Sequence, residues 1–357
     1  MISKKAYLAR PITSESQYSN PAPIINEMQP SKLTKLFFWF ILGCFSIFFA
    51  ELIAGSTAYP FTSILGWLIV YPVYALHILF FFWVVYRFGK PNFYTLFVAG
   101  LLFGLYEAYI TKIIWISYRP EGPLFTLGGI ALPDALFLVF FWHVTLAFIL
   151  PMFIGETYLT KSKEIVGLFS ERARKWGRWV FIFLIIWGGL FTSINSPNLI
   201  QSILSPFIGI SFLLLLMFIW KKKGNDRYYM RELIPGERAS KWIIVLLFLL
   251  YIILGRKLNW DKYVLVGLGP NLIVLITYAI FIWIFIKLLK KSKNDEVKKV
   301  EIKPFTFRRA IMYSLVFITF AIIGELLSLT KFLLLGSFIF IIPGLILFFM
   351  ALIKSIH

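Results

Sequence analysis

The chain carries a single cysteine, Cys44, among 357 residues. One cysteine cannot close an intrachain disulfide, and it rules out a cysteine-based metal site. It lies inside an apolar block, where a small buried hydrophobe is the ordinary role. Histidine is scarce too, with three in the chain, and no HExxH or similar local ligand motif is present. No ATP-binding motif is present either, so any pumping would draw on an ion gradient or a partner subunit. Charge is sparse, at 15% of residues against about 25% in an ordinary soluble domain. Acidic residues are the scarcer sign, 17 against 36 lysines and arginines, for a net charge of +19. In a soluble protein that excess would suggest nucleic acid. Here no basic domain exists apart from short connections between apolar blocks, so a nucleic-acid partner is set aside and the lipid bilayer takes its place.

What the chain has in abundance is hydrocarbon. Hydrophobic residues make up 59% of it, and the mean hydropathy is +0.81. The apolar residues come in blocks of about 20, the length that crosses roughly 30 Å of hydrocarbon as a helix. A soluble core would interrupt such blocks every few residues. Residues 1–35 are polar and proline-containing, and the first apolar run is longer than a signal-peptide core, so it is expected to remain as the first span. The expected fold class is all-α, a polytopic bundle of about ten transmembrane helices, at 35–55, 63–86, 92–117, 132–157, 179–199, 202–220, 241–255, 263–288, 309–328 and 332–353.

Lysine and arginine alternate with these spans. One side collects 30 of them and the other 5, with Lys112 inside the third span. The positive-inside rule then places both termini in the cytoplasm of a cell-membrane protein, with the basic loops against anionic lipid headgroups. The chain divides into a polar tail over 1–34, expected to be disordered, spans one to four over 35–158, a basic loop over 159–178, and spans five to ten over 179–357. The basic loop reads as an amphipathic interfacial helix with Ile165, Leu168, Phe169 and Trp176 on its apolar face. The stretches Lys221 to Lys241 and Lys290 to Arg309 are charge-rich and are expected to be mobile.

Ionisable groups inside a span are costly and tend to face protein or a water-filled cavity. They concentrate in spans one to four: Glu51, His77, Glu107 with Lys112 beyond it, His143 and Glu156. Spans five to ten are cleaner, with Glu325 the main exception, and read as a hydrophobic buttress. Gly100 and Gly104 give span three a small-xxx-small spacing that admits a close neighbour. Pro72 and Pro151 free backbone carbonyls in the two spans that carry the histidines. Glu107 and His143 are expected to face one shared polar cavity in the outer half of the membrane; along the helix axes they lie about 22 Å and about 14 Å from the inner boundary, a gap of about 8 Å that side-chain reach, helix tilt or one bridging water would close.

Ala50-Glu51-Leu52-Ile53-Ala54-Gly55-Ser56-Thr57, then Gly104-Leu105-Tyr106-Glu107, then Trp142-His143-Val144-Thr145 leading to Pro151 and Glu156, resemble an uncharacterised family of prokaryotic polytopic membrane proteins over residues 36–157. That family's pattern runs Glu before Gly-Ser-Thr on the first helix, Gly then Glu on a later one, and His, Pro, Glu on a further one. The chain departs from it in having a single Glu107 and in having His77 where an Arg-Glu pair is usual. A more distant likeness is to CAAX-type intramembrane metalloproteases, through Glu107 and His143. The chain lacks their Glu-Glu-xxx-Arg motif and their His-xxx-Asp or His-xxx-Asn motif.

These residues leave three functional classes open. An intramembrane metal-dependent hydrolase would use His77, His143 and Glu107 as ligands to a divalent metal such as zinc, with Glu51 as general base; in that reading Glu107, His143 and Glu51 form the catalytic set. An ion-coupled transporter would use the same groups to bind and release protons. A structural or assembly protein would use them to set helix pairing. All three require the same topology. Reporter fusions at the N-terminus and after His357 are expected to report from the cytoplasm, and a report from outside at either end would mean a span missing or extra.

Overall fold

The computed structural model describes residues 29–111, 113–118, 122–168, 171–194, 196, 198–257, 266–294, 306–328 and 330–357. Most of the polar tail therefore lies outside the described residues. The first span, Lys32–Leu52, opens on α1 (Lys32–Ile47), where the Ser31 hydroxyl accepts from the Thr34 amide at 3.1 Å and caps the first turn. It continues through a wider turn, Phe48–Leu52, in which the Ile53 amide reaches back five residues to the Phe48 carbonyl. Another wide turn, Gly66–Val70, leads without a break into α2 (Tyr71–Phe88), with Pro72 at the junction. The third span is α3 (Phe93–Ile110), capped by Asn92, followed by the short α4 (Ile113–Ile116).

A two-stranded hairpin, β1 (Thr126–Leu127) and β2 (Ile130–Ala131), precedes the fourth span. The all-α expectation did not include it. Its two-residue turn is Gly128-Gly129, both at positive φ, the conformation that such tight turns require. The fourth span is one continuous rod, α5 (Leu132–Phe137), a twelve-residue wide stretch (Leu138–Ile149) and α6 (Leu150–Leu159). Then follow α7 (Glu164–Gly167), α8 (Glu171–Thr192), α9 (Leu199–Lys222), α10 (Glu237–Lys257), α11 (Leu268–Ser292), α12 (Phe307–Leu326), α13 (Thr330–Ser337) and α14 (Ile341–Ile356).

Among the described residues, nine helices are long and apolar enough to cross a membrane, and Trp179–Thr192 within α8 is a shorter apolar segment at the place of the expected fifth span. The chain is an all-α polytopic bundle. The third and fourth spans are its centre: 83% and 78% of their apolar windows are buried by protein, against 17% for each of the last two spans. Helices with no apolar solvent to escape from pack through small residues. Gly43 of α1 lies against Ala75 of α2, Gly189 of α8 against the Phe317 backbone of α12, and Gly324 of α12 against the Leu190 backbone of α8.

The lysine- and arginine-rich end is more ordered than its composition suggests. The fully buried Glu156 at the end of the fourth span accepts the backbone amides of Glu164 (2.6 Å), Ile165 (3.0 Å) and Val166 (2.9 Å). This carboxylate folds the loop back as α7 and buries Ile165 and Val166, so the expected single interfacial helix over 161–178 does not form. Phe169 lies outside the described residues. The stretch expected to be mobile after Lys221 instead folds into two tight turns, Asn225–Arg227 and Met230–Glu232, and buries Met230 and Leu233 completely. It is tied to the first loop by Lys161 N–H to the Tyr228 carbonyl (2.9 Å), by the Met230 amide to the Ser162 hydroxyl (2.5 Å) and by Arg231 to Glu164. Much of the Lys290 to Arg309 stretch lies outside the described residues. Glu156→Ala removes the acceptor of three backbone amides at once. It is expected to destabilise the protein by on the order of 3 kcal/mol or more, read as a lowered melting temperature in detergent; an unchanged melt would show that water replaces the carboxylate.

Candidate functional site

Span three reaches its partner through two glycines. A Cβ at Gly100 would lie 3.0 Å from the Val144 Cα, and one at Gly104 would lie 3.1 Å from the Val139 Cα and 3.2 Å from the His143 Cβ. Only glycine lets α3 come this close to the wide stretch of the fourth span. Glu107 lies one turn beyond Gly104, so this packing carries it along the same side as His143. Span three's expected close neighbour is therefore span four.

Around this contact the polar groups of spans one to four gather. Glu51, in the wide last turn of the first span, accepts the Tyr74 hydroxyl at 2.5 Å on one oxygen. Its other oxygen accepts the hydroxyls of Ser56 (2.8 Å) and Thr57 (2.7 Å). The Glu-Gly-Ser-Thr run is thus a carboxylate with its own donors. The His143 ring lies over Tyr74, at 6.3 Å and 14° between ring planes, and the buried Glu107 follows Gly104, whose helix packs against His143. The Trp142 indole N–H donates to the Ala50 carbonyl at 3.0 Å and ties this end of span four to span one.

The helix geometry explains why these side chains sit there. In the wide stretch that holds His143, its Nδ1 lies 3.2 Å from the Leu138 carbonyl, five residues back, and the Leu150 amide reaches the Thr145 carbonyl. Turns of this type are frequent at functional sites. Pro151 has no N–H for the Ala147 carbonyl four residues behind it, and the Ser46 hydroxyl of the first span donates to that carbonyl at 2.5 Å. The freed carbonyl therefore serves as a joint between spans one and four.

His77 is placed differently. Its Nδ1 is 2.5 Å from the Val73 carbonyl and its Nε2 is 2.8 Å from the Tyr251 hydroxyl. A carbonyl only accepts, so its partners put the proton on Nδ1, and Nε2 then accepts from the tyrosine. The ring stacks on Phe103 (4.8 Å, 4°) and packs against Tyr106 (4.2 Å). With both nitrogens engaged, His77 is not free to join His143 and Glu107 around a metal. Among the described residues no three His, Cys, Asp or Glu side chains come together as a metal-holding group. The zinc site expected from His77, His143 and Glu107 gains no support from this arrangement. Lys112, the expected partner of Glu107, lies outside the described residues.

A family model described as an uncharacterized membrane protein family matches residues 40–355. The chain belongs to this family. An uncharacterized protein of Archaeoglobus fulgidus is 30% identical over 276 residues, covering 75% of this chain and 82% of that protein. No solved structure matches. The family match extends the resemblance seen over residues 36–157 to nearly the whole chain.

Two residues of this site, Tyr74 and Tyr251, and the buried Asp134 apart from it are not among those expected from the sequence. Tyr74 lies one helical turn before His77, a signal that was available. Tyr251 comes from α10, a span read as buttress, and no local pattern marks it. Asp134 is fully buried at the start of the fourth span, where the Ser117 hydroxyl donates to it at 3.1 Å. The Tyr74 to Glu51 contact is expected to appear as energetic coupling. In a double-mutant cycle of Tyr74→Phe and Glu51→Gln, read by thermal unfolding in detergent, the two effects should fall short of additivity by about 1–2 kcal/mol, and a cycle that closes to zero would refute the contact.

Proposed function

We propose that this membrane protein handles protons at the cluster of Glu51, Tyr74, Glu107 and His143, as an ion-coupled transporter of an unidentified solute. The observation that carries this reading is the hydrogen bond of 2.5 Å from Tyr74 to Glu51, with His143 stacked on the same tyrosine. Glu51 is half-buried and bonded to the exposed Ser56, so it connects the cluster to the membrane surface. Tyr74 links it to His143, and the buried Glu107 and His143 are the groups that gain and lose the proton. In this reading the basic loops face the cytoplasm and contact anionic headgroups, and the cluster opens to the outside. The hydrolase reading is less well supported, because His77 is committed to Val73 and Tyr251.

The test is proton flux. Purified protein is reconstituted in liposomes that enclose a pH-sensitive dye, and a potassium diffusion potential drives protons inward. Wild-type vesicles are expected to acidify faster than protein-free ones, and Glu107→Gln and His143→Ala are expected to lower the rate at least tenfold. A wild-type rate equal to that of protein-free vesicles, or a rate that Glu107→Gln leaves unchanged, would overturn the proposal.

A further inference from the structure

A second feature lies apart from the proton cluster. Between the first, fourth, fifth, sixth and ninth spans is an apolar cavity of ≈ 120 Å³, open on one side and lined by residues such as Phe45, Ile154, Ile185, Leu214 and Phe317. Apolar cavities of about 150 Å³ in soluble proteins stay dry and take up hydrocarbon. Along the helices its walls run from Ala310 to Phe317 in α12, about 10 Å, and from Leu146 to Tyr158 in the fourth span, about 18 Å. That is about one leaflet, half of a 30 Å core. The first span adds Phe45 to Ile53, from its half away from the basic loops, so the cavity runs from that half of the core to the end that carries the basic loops.

That end is marked by charge. Tyr158, Tyr313 and Ala310 line the cavity there, and the exposed Arg309 adjoins Ala310 in the chain. The Phe218 and Phe307 rings pack at 6.4 Å and draw the ends of α9 and α12 together, bringing Lys221 and Lys222 to the same end as Arg308 and Arg309. We propose that this cavity holds a short segment of one hydrocarbon chain of an anionic membrane lipid, with the phosphate of its headgroup at Arg309. The apolar walls select the chain, because hydrocarbon is the medium that surrounds the open side. The cationic end selects the headgroup, and this half rests on the reading that the basic end contacts anionic lipid. The site is independent of the proton-handling cluster, none of whose four residues lines it.

The experiment is native mass spectrometry of the purified full chain, offered phosphatidylglycerol and phosphatidylcholine with identical chains. The wild type is expected to retain one phosphatidylglycerol per protein. Ser314→Phe, which fills the cavity, should lower retention of both lipids at least tenfold, whereas Leu315→Phe on the exposed neighbouring position (61% exposed) should leave it unchanged. If Ser314→Phe fails to fold, Leu214→Trp fills the same space from α9. Arg309→Gln should abolish the preference for phosphatidylglycerol and leave phosphatidylcholine retention intact. A folded cavity-filling variant with wild-type retention would overturn the chain site, and an unchanged preference in Arg309→Gln would overturn the headgroup assignment. Proton flux is measured separately, so failure here leaves that reading untouched.

Discussion

The close approach of the third span to the fourth at Gly100 and Gly104 is the contact on which the rest of the centre depends. Without side chains there, the Val139, His143 and Val144 backbone can sit directly against α3. In a bilayer, lipid tails are as apolar as leucine, so helices gain little from merely hiding side chains and much from dense contact. These two spans are accordingly the most buried of the molecule, and the other helices wrap around them. The same device recurs at Gly43, Gly189, Gly324 and Gly344, so one packing rule accounts for several interfaces.

Regular α-helices alone would not produce the site. The wide turns at Phe48–Leu52 and Leu138–Ile149 shift the register of the residues that follow and leave carbonyls with altered partners. Two of these carbonyls take side-chain donors. The Ser46 hydroxyl takes the Ala147 carbonyl behind Pro151, and the Trp142 indole takes the Ala50 carbonyl. An unsatisfied backbone group in hydrocarbon costs several kcal/mol, so these pairings do more than decorate the joint. They also bring the glutamate of span one and the histidine of span four to the same residue, Tyr74.

Two carboxylates with similar prospects in the sequence take opposite roles. Glu156 is spent entirely on backbone amides and builds the ordered basic end, where α7, the two tight turns and the Arg231 to Glu164 pair lock together. Glu51 accepts only side-chain hydroxyls, which can rotate and exchange protons. The difference lies in the donors: amides of a folded-back loop are fixed, whereas hydroxyls are mobile. The structure thus has a rigid polar end and a polar centre linked through hydroxyls.

Read along the chain, the residues by themselves determined the class of the protein and most of its architecture. Blocks of about 20 apolar residues can only be spans, and a lone cysteine excludes disulfides. The polar residues of spans one to four were also visible, because a charge at membrane depth is conspicuous by its cost. Only the tertiary structure decided which of them share a site. His77 was expected beside His143 as a metal ligand, yet a tyrosine 174 positions away, Tyr251, takes its second nitrogen. Glu156 looked like a free intramembrane acid until the loop after it folded back. The hairpin at Gly128-Gly129 and the turns after Lys221 were likewise settled by contacts with distant segments. Helix formation is a local property, written in runs of neighbouring residues. The partner of a buried polar group is set by how separate helices are rotated and how closely they approach, and no run of neighbours encodes that.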